Sequence, residues 1–149
     1  MGTRSLTVFE DDDKTEIVVM YRQMDGYPEG HGKDLAEFLS NMVITNGILL
    51  GDKRKTANGM GCLAAQVIAH FKKETGGFYL LPAGARNSGE EWVYIIWPGI
   101  LKDAAVGNVA ITVVNVHADD EKTWFEGTPE DLLKKIQKLE QDRQKGKKG

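Results

Sequence analysis

The densest concentration of residues able to do chemistry is the run Tyr21-Arg22-Gln23-Met24-Asp25-Gly26-Tyr27-Pro28-Glu29-Gly30-His31-Gly32. Glycines let a backbone come close to a ligand, and the first N–H groups of a helix lack internal partners and attract anions. Arg22 and His31 add side-chain donors for negative charge, and Tyr21 and Tyr27 offer rings on which a planar group can stack. Asp25 adds an acceptor for a ribose hydroxyl or a base amine. The same composition also describes a plain loop, with Asp25-Gly26 as its turn and Pro28 as a stiffener. Arg4 joins the candidate set because its strand should pair with the strand of Arg22, and the register decides whether the two cations meet.

A second glycine loop, Lys53-Arg54-Lys55-Thr56-Ala57-Asn58-Gly59-Met60-Gly61, places three basic residues before a helix start. Its candidate contacts are Asn58, Gly59 and Gly61. It is not a Walker A loop, because no Gly-Lys-Ser/Thr follows at the required spacing, and no βαβ frame makes it a dinucleotide fingerprint. A solvated basic loop is the equal alternative. Two such loops in one small domain suit a ligand with two anionic groups.

Enzymatic readings have less to stand on. His31, His70 and His117 are far apart, and no HExxH or paired Cys/His spacing marks a metal site. His70 reads as a satisfied core or pocket-edge histidine. Asn115 and His117 share a strand face whose end can border a cleft. Cys62 opens a helix, where the dipole favours a thiolate. Its apolar neighbours Leu63, Ala64, Ala65, Val67 and Ile68 nevertheless predict a small buried residue. Ser5, Ser40 and Ser88 lack a nucleophile-elbow context. Trp92, Trp97 and Trp124 read as sheet packing before they read as stacking platforms.

These residues must be positioned by a modest chain. With 149 residues, 41% hydrophobic and 28% charged, it has the size and balance of one ordinary globular domain. Residues 1–141 form that domain in this reading, and 142–149 a basic flexible tail. No apolar run approaches the roughly 18–20 residues a spanning helix needs, and the start turns acidic too soon for a secretory signal. Cys62 has no partner for an internal disulfide, which suits a reducing cytoplasm. The net charge of −3 argues against duplex nucleic acid as a partner.

Periodicity places strands at Arg4–Phe9 and Glu16–Gln23, joined by the acidic turn Asp11-Asp12-Asp13-Lys14. Leu35, Phe38, Leu39 and Met42 fall at helical spacing, and Cys62–Lys73 reads as a helix apolar nearly all round. Further strands follow at Gly77–Leu81, Glu91–Trp97, Asn108–His117 and Lys122–Glu126. Thr128-Pro129-Glu130-Asp131 then opens a last helix, with Thr128 as N-cap and Pro129 in the first turn. The fold class expected is α+β: a mainly antiparallel sheet of about five to six strands, with three helices largely on one face.

The opening Gly2-Thr3-Arg4-Ser5, the Tyr21–Gly32 run and Asn58-Gly59-Met60-Gly61-Cys62-Leu63-Ala64-Ala65-Gln66 together resemble a family of uncharacterised small proteins associated with bacteriophages and bacteria. The likeness spans roughly residues 2 to 82. It carries no catalytic assignment. The phage association implies an accessory, anti-defence role in a bacterial cytoplasm, a class that includes sponges for nucleotide immune signals.

The leading expectation is thus a non-enzymatic binder, or sequestering protein, for a small anionic, nucleotide-like ligand, with neither cofactor nor metal. Its site residues are Arg4, Tyr21, Arg22, Asp25, Tyr27, Gly30, His31, Gly32, Asn58, Gly59 and Gly61, and a homodimer or higher oligomer completes the pocket. One alternative is a hydrolase or transferase using His31 or His117 as acid/base with Asp25 as orienter. The other is a protein–protein inhibitor that binds through an exposed apolar patch.

Overall fold

The turn after the first strand closes as its residues demand. Asp11 accepts the Lys14 N–H at 2.9 Å and its own N–H donates to Thr15 at 2.9 Å, while Lys14 adopts φ 68°. The hairpin joins β1 (Ser5–Glu10) to β2 (Glu16–Arg22). The computed structural model describes residues 2–45, 55–99, 106–117 and 122–147. A π-helical turn, Pro28–Gly32, leads into α1 (Lys33–Leu39), followed by β3 (Met42–Thr45), β4 (Lys55–Asn58) and α2 (Gly59–Phe71). Then come β5 (Phe78–Leu81), β6 (Trp92–Pro98), β7 (Val106–Asn115), β8 (Lys122–Gly127) and α3 (Pro129–Lys147).

The fold is α+β, with three helices on one curled, mixed sheet of eight strands in the order β4-β3-β7-β6-β1-β2-β5, and β8 also beside β7. One expectation is corrected here. The sheet has more than five to six strands, because β3 and β4 are four-residue strands hidden in the sequence. Met42 continues the helical spacing of Leu35, Phe38 and Leu39, but α1 stops at Leu39 and Asn41 turns at φ 64°. Among the described residues five of the seven pairings are antiparallel, and β1·β6 and β3·β4 are parallel, which makes the sheet mixed. β5 lies antiparallel to β2 at the sheet edge, and the chain from 82 to 91 then returns to set β6 against the other side of β1.

Alternation divides the sheet into two apolar faces. Phe9, Met20, Tyr94, Ile96, Ile111 and Val113 pack under Leu35 and Leu39 of α1, Leu63 and Val67 of α2, and Leu132 and Ile136 of α3. The helices therefore share one face, as expected. Leu6, Val8, Val19 and Val93 form a smaller cluster behind, joined by Tyr21, Leu81, Ala85 and Ile95. Each fully buried large side chain contributes about 1.5–3 kcal/mol by leaving water.

Two helices depart from their reading. α2 buries Met60, Leu63, Ala64, Val67 and Phe71 but exposes Gly61, Cys62, Ala65 and Ala69, so it is covered on one side only. α3 starts as its residues predict: Thr128 Oγ1 accepts the Asp131 N–H at 3.1 Å. It runs on through Lys147, so much of the segment read as a tail is helical, and Arg143 pairs with Glu29. No helix among the described residues is long and apolar enough to cross a membrane.

Candidate functional site

The register Ser5↔Arg22, Leu6↔Tyr21 and Thr7↔Met20 decides where the first-loop residues go. Ser5, Thr7 and Arg22 face the helices, whereas Tyr21 faces the opposite side, tilted against Tyr79 at 6.0 Å. Arg4 and Arg22 diverge as well: the Arg4 side chain lies against Gly89 while Arg22 turns toward α1.

Arg22 and His31 form the heart of a polar network that runs from the fully buried imidazole out to exposed acceptors. Arg22 Nε donates to the Met24 carbonyl at 2.7 Å, and Nη1 reaches His31 Nδ1 at 3.0 Å and Asp34 Oδ2 at 3.2 Å. A guanidinium has only donors, so His31 Nδ1 must accept, and the ring proton sits on Nε2. Nε2 then donates to Thr7 Oγ1 at 2.6 Å. His31 is fully buried between Phe71 and Tyr94, at ring separations of 5.1 and 5.0 Å. Burial, and then the Arg22 charge, hold it well below the ordinary histidine value of 6.5, so it is neutral. The Tyr94 hydroxyl donates to the Gly26 carbonyl at 2.7 Å, and burial pushes that phenol well above its usual range.

The loop amides are taken up in the same way. Gly26 N–H donates to Thr3, Gly30 to Tyr27 and His31 to Asp25, each at 2.8–2.9 Å. Gly32 N–H serves the Tyr94 hydroxyl, and Lys33 N–H bonds the Pro28 and Gly30 carbonyls across the π-helical turn. Gly30 is required because a Cβ there would strike the Asp25 carbonyl oxygen. These N–H groups hold the loop on the sheet, and Gly30, His31 and Gly32 thus line no open anion nest.

What stays open lies just outside the network. An open cleft of about 570 Å³ is bounded by Gly2, Thr3, Arg4, Gln23, Met24, Asp25 and Tyr27. Arg4 is exposed there and has no carboxylate or hydrogen-bond acceptor for its guanidinium among the described residues. Tyr27 is 40% and Met24 59% exposed, unusual for an aromatic and a thioether side by side. Tyr27 Oη points at Asp25 Oδ1 at 3.4 Å, a long contact that leaves the carboxylate accessible. The structure therefore brings Arg4, Asp25 and Tyr27 together. Sequence reasoning missed Gly2, Thr3, Gln23 and Met24 as lining, although their adjacency to Arg4 and Asp25 was a usable signal.

The second glycine loop stands elsewhere. Asn58, Gly59 and Gly61 are at the start of α2, and the His31 contact Phe71 is at its end. Thirteen residues separate the two ends, about 20 Å of helix at roughly 1.5 Å per residue. Lys53 and Arg54 lie outside the described residues. Lys55 is spent on the Phe38 and Ser40 carbonyls, at 2.6 and 3.0 Å. Cys62 is exposed rather than buried, with Sγ 3.6 Å from Gln66 Oε1. His117 is exposed, and its N–H caps Asn115 Oδ1 at 3.1 Å. Trp97 Nε1 donates to Thr112 at 3.0 Å, and Trp92 meets Trp124 edge-on, so these rings pack the sheet.

No group of three or more metal-ligating side chains occurs among the described residues. Comparison with protein-family models, curated proteins and solved structures found no match. The functional reading rests on geometry.

Proposed function

We propose that this protein binds a small anionic, nucleotide-like ligand in the cleft between Gly2–Arg4 and Gln23–Tyr27 and holds it without transforming it. The observation that carries this reading is Arg4: an exposed residue whose guanidinium rests against Gly89 with no acceptor among the described residues, and which borders the same cleft as an exposed tyrosine and an open carboxylate. Arg4 meets a phosphate, Tyr27 and Met24 cover a planar ring, and Asp25 accepts from a hydroxyl or amine. The Arg22–His31 network fixes the backbone beneath. Sequestration of a nucleotide immune signal by a phage-borne protein is the role that the motif resemblance suggests, and a homodimer that closes the open side of the cleft belongs to the same proposal.

The hydrolase reading has less support. His31 is closed to solvent with both ring nitrogens engaged, so it offers neither access nor a free lone pair. Native mass spectrometry of the purified chain, then denaturing release, tests binding directly. A nucleotide-sized mass recovered intact is the expected result, and a converted product would restore the enzyme reading. Titration with adenosine monophosphate is the second arm. Arg4→Ala should weaken it about tenfold, the size of a charge-assisted hydrogen bond. Equal binding by wild type and Arg4→Ala would sink the cleft assignment, and no binding by either would leave the protein–protein inhibitor in front.

A further inference from the structure

A second concavity lies on the helix face, between α1, the end of α2 and β5. It is an open bowl of about 540 Å³ lined by Asp34, Glu37, Phe38, Lys55, His70, Phe71 and Phe78. None of these residues lines the Arg4 cleft. Its floor and walls are aromatic: His70 stacks on Phe38 at 4.3 Å with 27° between the planes, and Phe71 and Phe78 stand 5.4 Å apart. The bowl thus already holds one planar heteroaromatic ring, the His70 imidazole, stacked face to face.

The polar groups at its rim are of both kinds. Lys55 Nζ is pinned by two carbonyls over the Phe38 ring, leaving one N–H direction. Asp34 is paired through Oδ2 to Arg22, whose guanidinium covers Phe78 at 5.0 Å. The carboxylate of Glu37 and the ring nitrogens of His70 have no hydrogen-bond partner among the described residues. With Arg22 counted, two fixed cations balance two carboxylates. The formal charges therefore sum to zero and favour neither sign of net ligand charge, whereas a neutral ligand with donors and acceptors on a flat ring can use Glu37 and the remaining Lys55 N–H.

We propose that this bowl is a binding site for an uncharged planar heteroaromatic amine, the chemical class of the amino-bearing nucleobases. The ring packs among the aromatic lining of Phe38, His70, Phe71 and Phe78, the exocyclic amine donates to Glu37, and a ring nitrogen or carbonyl accepts from Lys55. The proposal does not depend on the Arg4 cleft, so either site can fail alone.

The probe is adenosine, which carries the amine and no phosphate, compared with purine riboside, which lacks the amine. Binding is followed by backbone amide chemical shifts. Adenosine should saturate with a dissociation constant below about 1 mM and shift the amides of residues 37–38, 70–71 and 78. Purine riboside should bind about fivefold to tenfold more weakly, from loss of one hydrogen bond to a charged acceptor. Glu37→Ala, at an exposed helix position, should erase that difference, and His70→Ala should weaken both ligands. Arg4→Ala should change neither. Absence of saturation, shifts confined to the Arg4 cleft, equal affinity for the two probes, or a bowl that takes benzylammonium in place of adenosine would each overturn the assignment.

Discussion

His31 shows how a residue type with catalytic potential becomes a structural one. Its Nδ1 accepts from a permanent cation and its Nε2 donates to Thr7, so protonation would set two donors face to face in a buried place. The folded pKa is lowered, so between that value and about 6.5 the unfolded chain binds more protons, and stability must rise with pH there. The stabilisation is complete above the unfolded pKa and is lost as pH falls, by up to about 1.4 kcal/mol per pH unit. Urea unfolding between pH 5.5 and 8 should show this slope, and His31→Gln should remove its share. An unchanged slope in the variant would mean that His31 is not held neutral. Arg22 tests the same network from the other side. Its side chain is only 15% exposed, and its loss strands the buried His31 Nδ1 while Asp34 and the Met24 carbonyl return to water. Arg22→Ala should cost about 1–3 kcal/mol in chemical unfolding, and Arg22→Lys should recover little, since one ammonium cannot reach three acceptors. A folded, fully stable Arg22→Ala protein would instead make Arg22 available to a ligand.

Elements were legible where their signals are local. The acidic turn, the β1–β2 hairpin and the Thr128-Pro129 helix start all depend on residues within a few positions of one another, and all three form. Thr128→Ala should cost about 1 kcal/mol and Thr128→Ser almost nothing, read from thermal or urea unfolding. What stayed hidden was non-local. Four residues are too few for a period to declare β3 or β4, and nothing in Trp92–Pro98 says that its neighbour will be the parallel β1. The candidate site divides along the same line. That Tyr21 and Arg22 face opposite sides follows from the period of a strand, a signal present in the sequence. That the amides of Gly30, His31 and Gly32 are already occupied depends on Tyr27, Asp25 and Tyr94, and could be seen only once the loop was folded. Gly30→Ala measures how tightly: the added methyl meets the Asp25 carbonyl oxygen, so the loop must shift at a cost of about 1–3 kcal/mol. A neutral result in unfolding experiments would mean that the loop has slack enough to rearrange around a ligand.

At the scale of the molecule, the sheet has an outer edge at β5, and exposed edges invite association. Gly77 accepts from Gln23 N–H at 2.9 Å, so Gly77, Tyr79 and Leu81 turn their backbone groups toward β2, and Phe78 and Leu80 turn theirs outward. The Phe78 N–H is used by Gly76 at 2.9 Å, and Lys72 Nζ plugs the Phe78 carbonyl at 2.9 Å. The next outward residue, Pro82, has no N–H, and its carbonyl accepts from Ala85 at 3.1 Å. Only Leu80 leaves an outward N–H and C=O, too little for a paired strand, although its side chain is 57% exposed. A lysine and a proline close the edge that the apolar run Phe78–Leu81 would otherwise offer. Any homodimer that completes the Arg4 cleft must therefore use another surface. Sedimentation velocity should give Leu80→Lys the same mass as wild type, whatever that mass is, whereas Lys72→Ala should uncover the Phe78 carbonyl and raise self-association with concentration. A wild-type dimer that Leu80→Lys dissociates would show instead that β5 pairs across copies despite its guards.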